Sequence, residues 1–393
     1  MPNSNIKLCI RYFGGDEWKF GITFLTNLIK SIKLVNDSGI DVFVLVEKNE
    51  LDSLISRSLV DQNNIIILEY PDRWKPVWML YQLLKKSPIE RDIVIEDLLL
   101  KKDVDVYFAP TIIHKVNRIK TLSLVADFQH VHLPHMFSRK EVSRRNRNYR
   151  LSAKIADLII LFSNAVMKDY HEFAPKYLNK MRVLRPVSFL PQDLYEKHLG
   201  DLFTQYNIPE KFFFIPNQFW KHKNHEIVFR AVKDLNKTGI KINIVCSGNP
   251  IDYRDSDYFS NLQAKLNKWK IQDQIFILGI IPYIQVLQFI RQCICVINPS
   301  LFEGWGMTVD EARSIGKQVL ISDIPAHREQ NVEKLTYFNP YSIEHLKREL
   351  VRIWCEASPG PDYDYEKFSR SKIAKRQKNN GESFISLVKE SIN

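Results

Sequence analysis

Thiols are scarce in this chain, with five cysteines among 393 residues. So few, and odd in number, they do not read as a disulfide framework. Cys9, Cys246, Cys293 and Cys295 fall in apolar stretches that read as buried strands. They are expected as reduced core thiols of a cytosolic protein. Cys293 and Cys295 would share one sheet face, but no second Cys or His pair completes a zinc site. Long apolar runs are missing too. None reaches the ~18 residues of a membrane-crossing helix. Residues 1–10 lack a basic region followed by an apolar one, so no signal peptide is expected, and Lys7 to Phe13 reads as a first strand. Helix-turn-helix, RNP and zinc-finger patterns are also lacking. The net charge of +11 therefore points to an anionic substrate or an anionic membrane before nucleic acid.

What is present suits a soluble α/β protein of two domains. Hydrophobic content of 45% and charged content of 26% are ordinary, and the length allows two full cores. Strand-like runs at Lys7 to Phe13, Val42 to Val46, Ile65 to Leu68, Val104 to Ala109, Thr121 to Ala126 and Leu158 to Phe162 are interspersed with helical periodicity. Residues 70–100 read as mostly helical after Pro71 and Pro76. Residues 183–210, with Pro186, Pro191 and Pro209, read as a connection. A second series follows at Phe212 to Ile215, Lys241 to Ser247, Gln274 to Leu278, Cys293 to Asn298 and Val319 to Ser322, with helices near 224–236, 257–269 and 283–292. Such alternation predicts two domains, each a doubly wound parallel sheet covered by helices on both faces. The boundaries read as 1–188 and 189–370, with a last helix in 371–393.

The most informative stretch is 298–329. It reads as strand, glycine turn, helix, strand. Gly304 and Gly306 flank Trp305 and permit a tight turn. Met307, Val309, Ala312 and Ile315 suit a short helix that Gly316 ends. A turn of this kind offers unpaired amides and a positive dipole end to an anion. Glu303 stands at its mouth, and Glu311 lies one to one and a half turns into the helix. Read blandly, this is a turn with two surface acids. Read chemically, it is a phosphate site with a carboxylate on either side for sugar hydroxyls.

Other strand-end loops carry polar residues. Gly14, Gly15, Asp16 and Trp18 follow the first strand, without a full dinucleotide fingerprint. Asp127-Phe128-Gln129-His130 follows the strand at 121–126, with His132 and His135 as plain loop residues. Lys221 and Lys223 precede a helix that Asn224 is expected to cap, a favourable place for a diphosphate. Asp103 and Asp105 are explained by their position in a strand, and no metal is assigned. Residues 139–150 hold six Lys or Arg against one Glu. They suit either a solvated helix face or docking on anionic lipid, at about 1 kcal/mol per basic residue.

The spacing of Glu303 and Glu311, with Pro299 and Ser300 before and Gly316 and Val319 after, resembles the signature of the retaining glycosyltransferases of family 4. Most of the chain fits that likeness. It implies the GT-B architecture, two Rossmann-like domains facing a cleft. It implies a hexosyltransferase that needs no metal or cofactor and takes a nucleotide-diphospho-sugar as donor. Lys223, Glu303 and His130 are the implied catalytic residues. Gly14, Gly15, Gln218, Lys223, Ile281, Glu303, Gly304, Trp305, Gly306, Met307, Thr308 and Glu311 are the implied donor contacts, with Ile281 beside the nucleobase. Gln218 departs from the family's Arg, which leaves Lys221 or His222 to make up the charge. The implied acceptor is a glycan or a polyprenyl- or lipid-linked glycan of surface-polysaccharide synthesis, such as lipopolysaccharide O-antigen or capsule. The implied place is the cytoplasm or the inner membrane face. Two alternatives share these features: a hydrolysing UDP-sugar epimerase, and a non-catalytic nucleotide- or membrane-binding protein.

Overall fold

A computed structural model describes residues 5–13, 19–70, 91–196, 200–330 and 332–393. The loop holding Gly14, Gly15, Asp16 and Trp18, and the helical expectation for 71–90, lie outside the described residues. The chain divides into two compact units. One comprises Met1–Phe128, Arg139–Val187 and Lys375–Asn393; the other comprises Gln129–Ser138 and Ser188–Ala374.

The first unit is built on a parallel sheet. Its described strands are β1 (Ile6–Arg11), β2 (Ile40–Glu47), β3 (Ile65–Leu68), β4 (Val106–Pro110), β5 (Lys120–Val125), β6 (Leu158–Leu161) and β7 (Met181–Val183), in the order β3-β2-β1-β4-β5-β6-β7. Ile6 lies opposite Ile40 and Leu8 opposite Val106. Runs such as Leu158–Leu161 are buried throughout, as strands with two covered faces must be. Asp105 has a structural task here, because its carboxylate accepts the Lys7 N–H at 2.8 Å. Edge strand β7 went unread in the sequence. Three residues carry no periodicity, and pairing with β6 defines them.

The second unit repeats the plan with β8 (Phe213–Ile215), β9 (Ile244–Cys246), β10 (Ile275–Ile277), β11 (Cys295–Asn298), β12 (Val319–Ser322) and β13 (Leu335–Phe338), ordered β10-β9-β8-β11-β12-β13. The α/β class and the doubly wound parallel sheets are as the alternation implied. Side chains on β8 alternate between two cores. Phe213 and Ile215 join the helix His225–Asn236 on one face. Phe212 and Phe214 meet the helices Tyr283–Gln292 and Met307–Ile315 on the other. The strand order reverses between β8 and β11, and the carboxyl ends of such a pair are where ligands bind in open α/β sheets.

Cys9 is buried in the first unit and Cys246, Cys293 and Cys295 in the second, where Cys293 and Cys295 fall in the two different cores and not on one shared face; Cys355 is exposed. Helix Ile343–Glu356, capped by the Ser342 hydroxyl on the His345 N–H at 3.2 Å, was not anticipated. The last helix, Tyr363–Ile392, starts earlier than its charge pattern suggested. Near its end, Phe384 meets Phe108 edge-on at 5.2 Å. There Gly381 lies against the Ser31 carbonyl, where an added Cβ would stand 2.1 Å from the oxygen.

Candidate active site

The loops after β8, β9 and β11 converge at the reversal of strand order. Gly248, after β9, lies so close to the loop after β8 that a Cβ there would sit 2.3 Å from the Asn217 oxygen. Asn217 Nδ2 donates to Asn298 Oδ1, at the end of β11, at 3.4 Å. Thr308 Oγ1 donates to Asn217 Oδ1 at 3.3 Å. Three loops remote in sequence thus form one polar floor.

Above it opens the helix Met307–Ile315. Gly306 precedes it with φ 97°, a left-handed conformation that costs a residue with a Cβ. Gln330 Nε2 holds the turn by donating to the carbonyls of Trp305 (2.8 Å) and Gly306 (3.2 Å). The first helical turn leaves amides without intrahelical acceptors, at the positive end of the dipole. At the other end, Gly316 has φ 83° and the Lys317 N–H reaches the Ala312 oxygen at 2.8 Å, so the helix closes as the sequence suggested.

Neither carboxylate is a plain surface acid. Glu303 Oε1 receives Lys223 Nζ at 2.6 Å and the Ser300 hydroxyl at 2.7 Å. The side chains of Lys223 and Glu303 are only 16% and 11% exposed. Burial, the largest single influence, raises the Glu303 carboxyl, but the Lys223 charge, nearby His327 and the hydrogen bonds from Lys223 and Ser300 together outweigh it, and the group ends below the usual range. Glu311 Oε1 accepts from the Tyr283 hydroxyl at 2.8 Å. Burial with that limited compensation, and the nearby Asp310 charge, push its carboxyl up to about 7.

Two details correct the sequence reading. Asn224 does not cap the helix with its side chain. Its φ is 56°, and Nδ2 instead donates to the carbonyls of Pro299 and Pro340, both at 3.1 Å. The amide therefore ties the Lys223 turn to the loop after β11, which brings Lys223 to Glu303. Nor can His222 replace the charge missing at Gln218. It is buried, and burial together with the charges of Lys223 and Arg254 keeps its imidazole neutral. Lys221 Nζ is drawn to Asp255 at 3.4 Å. Gln218 itself is half-buried in the loop facing Gly248.

Residues the sequence reading passed over complete the site. Arg254 forks onto Asp252 at 2.8 and 3.0 Å and reaches His222 Nδ1 at 3.1 Å. Its Nη1 also donates to Gln129 Oε1 at 3.1 Å. Beside Gln129, His130 is fully buried in the helical turn Gln129–His132, and His132 stacks on Phe302 at 4.8 Å. The His130 segment therefore lies against the residue before Glu303. His327 is buried and neutral, since burial lowers its imidazole. Its Nδ1 meets the Ser322 carbonyl at 2.8 Å and so carries the proton. Its Nε2, without a partner among the described residues, faces Gly306, where a Cβ would come within 3.3 Å. Arg254, Asp252 and His327 have no local sequence signal; each is defined by what it touches. Ile281 lies in the loop joining β10 to Tyr283, partly buried against the core behind the Glu311 helix.

Residues 201–357, which contain this whole constellation except the 129–132 turn, match the family described as glycosyl transferases group 1. A curated relative of the chain is the O-antigen chain mannosyltransferase RfbU of Salmonella typhimurium, 25% identical over 138 residues. That alignment covers 35% of this chain and 37% of RfbU, so the chain matches little more than a third of its relative's length. Among solved structures, a glycosyltransferase from Rickettsia africae superposes with a TM-score of 0.64 at 14% identity, covering 98% of this chain and 97% of the other. Anabaena HepE, in complex with UDP and glucose, gives 0.63 at 14% identity over the same shares. At these identities the likeness establishes the GT-B fold, along nearly all of the chain.

Proposed function

We propose that the protein is a retaining glycosyltransferase of family 4. It moves a sugar from a nucleotide-diphospho-sugar to a glycan or lipid-linked glycan acceptor in surface-polysaccharide synthesis. The observation that carries this reading is the Lys223–Glu303 pair at the mouth of the 307–315 helix. The amides of Gly306 to Thr308 and the Lys223 ammonium are suited to the diphosphate, where negative charge grows as the sugar departs. Glu303 is suited to hydroxyls of the donor sugar and Glu311 to those of the ribose. In this reading the acceptor hydroxyl attacks the face that the nucleotide leaves. The new C–O bond forms as the bond to the β-phosphate oxygen breaks, and that oxygen takes the hydroxyl proton. No enzyme nucleophile and no metal are assigned. RfbU is named for mannose transfer to O-antigen, which supports the polysaccharide class of acceptor. The basic face of the helix Arg139–Ile155 supports work at an anionic membrane surface.

The test is a thermal-shift panel of nucleotide-diphospho-sugars. A true donor at a hundred times its dissociation constant should add about 2.7 kcal/mol of stability. Transfer to lipid-linked acceptors would then be followed, with the anomeric configuration of the product read by NMR. Inverted product would remove the retaining assignment. Turnover of UDP-N-acetylglucosamine at full rate without acceptor would favour epimerisation instead.

A further inference from the structure

The first unit carries a second concave site that sugar transfer does not use. It is a cavity of about 650 Å³ between the later half of helix Arg139–Ile155 and residues 173–177. Arg147, Arg150, Lys154 and Lys176 line it, and no carboxylate does. None of the four makes an ion pair among the described residues. Its inner wall is apolar: Leu151, Phe173, Ala174 and Tyr177. Arg150 lies over the Phe173 ring at 4.6 Å, which leaves the guanidinium edge open to an acceptor. One residue beyond Tyr177, Leu178 is 46% exposed.

Topology separates this cavity from the strand ends that bind ligands. Helix Arg139–Ile155 runs from the carboxyl side of β5 back to the amino end of β6. Arg145, 4.0 Å from Asp127, marks the carboxyl side, so the cavity residues 147–154 lie beyond it toward the amino ends of the strands. Four unpaired cations would bind any small anion weakly in water. Cations rimming an apolar wall, with an exposed leucine beside them, fit an amphiphile better, because phosphate and chain satisfy both parts at once.

We propose that this cavity seats the phosphate of an anionic phospholipid, with the first acyl carbons against Phe173 and Tyr177 and Leu178 in the bilayer interface. The proposal rests on the membrane-surface part of the function above and makes it specific to one pocket.

Full-length protein would be sedimented with vesicles of phosphatidylcholine alone and of phosphatidylcholine mixed with phosphatidylglycerol. The pocket variant is Arg147→Glu/Lys176→Glu. The control, Arg139→Glu/Lys140→Glu, makes the same charge change at the far end of the same helix. All four residues are exposed, so both proteins should fold. Wild type should bind only the anionic vesicles. The pocket variant should lose about tenfold or more, the control clearly less, and Leu178→Asn should weaken binding without any charge change. Equal losses in the two charge variants would overturn the pocket and leave membrane docking standing. No wild-type binding to anionic vesicles would overturn both. Inorganic phosphate binding as tightly as vesicles, with Leu178→Asn silent, would make the ligand a free phosphate and overturn the lipid assignment.

Discussion

Lys223 Nζ lies 2.6 Å from Glu303 Oε1, and both side chains are largely withdrawn from water. The pair joins the loop after β8 to the loop after β11. Removing one partner of a buried ion pair strands the other charge, at a cost of about 3–5 kcal/mol. Lys223→Met should therefore destabilise the protein by an amount near that range. Lys223→Met/Glu303→Gln should recover much of the loss. Urea unfolding of the single and double variants decides it, and identical midpoints would mean that water already screens the pair. On the proposed function, both variants should lose most transferase activity.

Glu311 gives a pH dependence of definite sign. Its carboxyl titrates near 7 in the folded protein, against an ordinary value of 4.5. Between those values the folded state keeps a proton that the unfolded state has lost. Stability from this group is complete below about pH 4.5 and is lost as pH rises through 7, by roughly 3 kcal/mol in all. Glu311→Gln should show a smaller fall in unfolding free energy between pH 5 and pH 8. If the ionised carboxylate accepts ribose hydroxyls, nucleotide affinity should rise through pH 7 in wild type and be flat in the variant. Titration calorimetry at the two pH values measures this.

The two helix-end glycines should fail differently. A Cβ on Gly316 would meet the backbone of Glu366 at 2.6 Å with φ at 83°, so Gly316→Ala should cost at least about 2 kcal/mol of stability. Gly306→Ala brings a methyl to 3.3 Å from His327 Nε2 and strains the turn that opens the 307–315 helix. It should cost about 1–2 kcal/mol and also weaken nucleotide binding. Unfolding and nucleotide titration of both variants separate the effects.

Arg254 holds Asp252, whose side chain is 1% exposed, and reaches Gln129. Arg254→Met should destabilise the unit by about 3 kcal/mol or more. It should also speed amide exchange in residues 129–138 beyond the rise seen in β8. Uniform acceleration would mean that Arg254 supports the core generally and not that segment.

The sequence alone carried the α/β class, because long β-branched runs and helical periodicity report local burial. It also carried the 307–315 helix with both end glycines, since those φ values favour glycine. The pairing of Glu303 with a phosphate-suited turn was legible because both lie within one short stretch. Tertiary structure alone decided the partners. Lys223 meets Glu303, Tyr283 meets Glu311, Arg254 meets Asp252 and Gln129, and His327 faces Gly306, each across a distance that no local pattern encodes. The protonation states follow from those meetings. Glu303 and Glu311 are the same residue type eight positions apart, yet an ammonium lowers one and burial raises the other. Residue identity sets what a group can ionise to, and its neighbours and access to water set when.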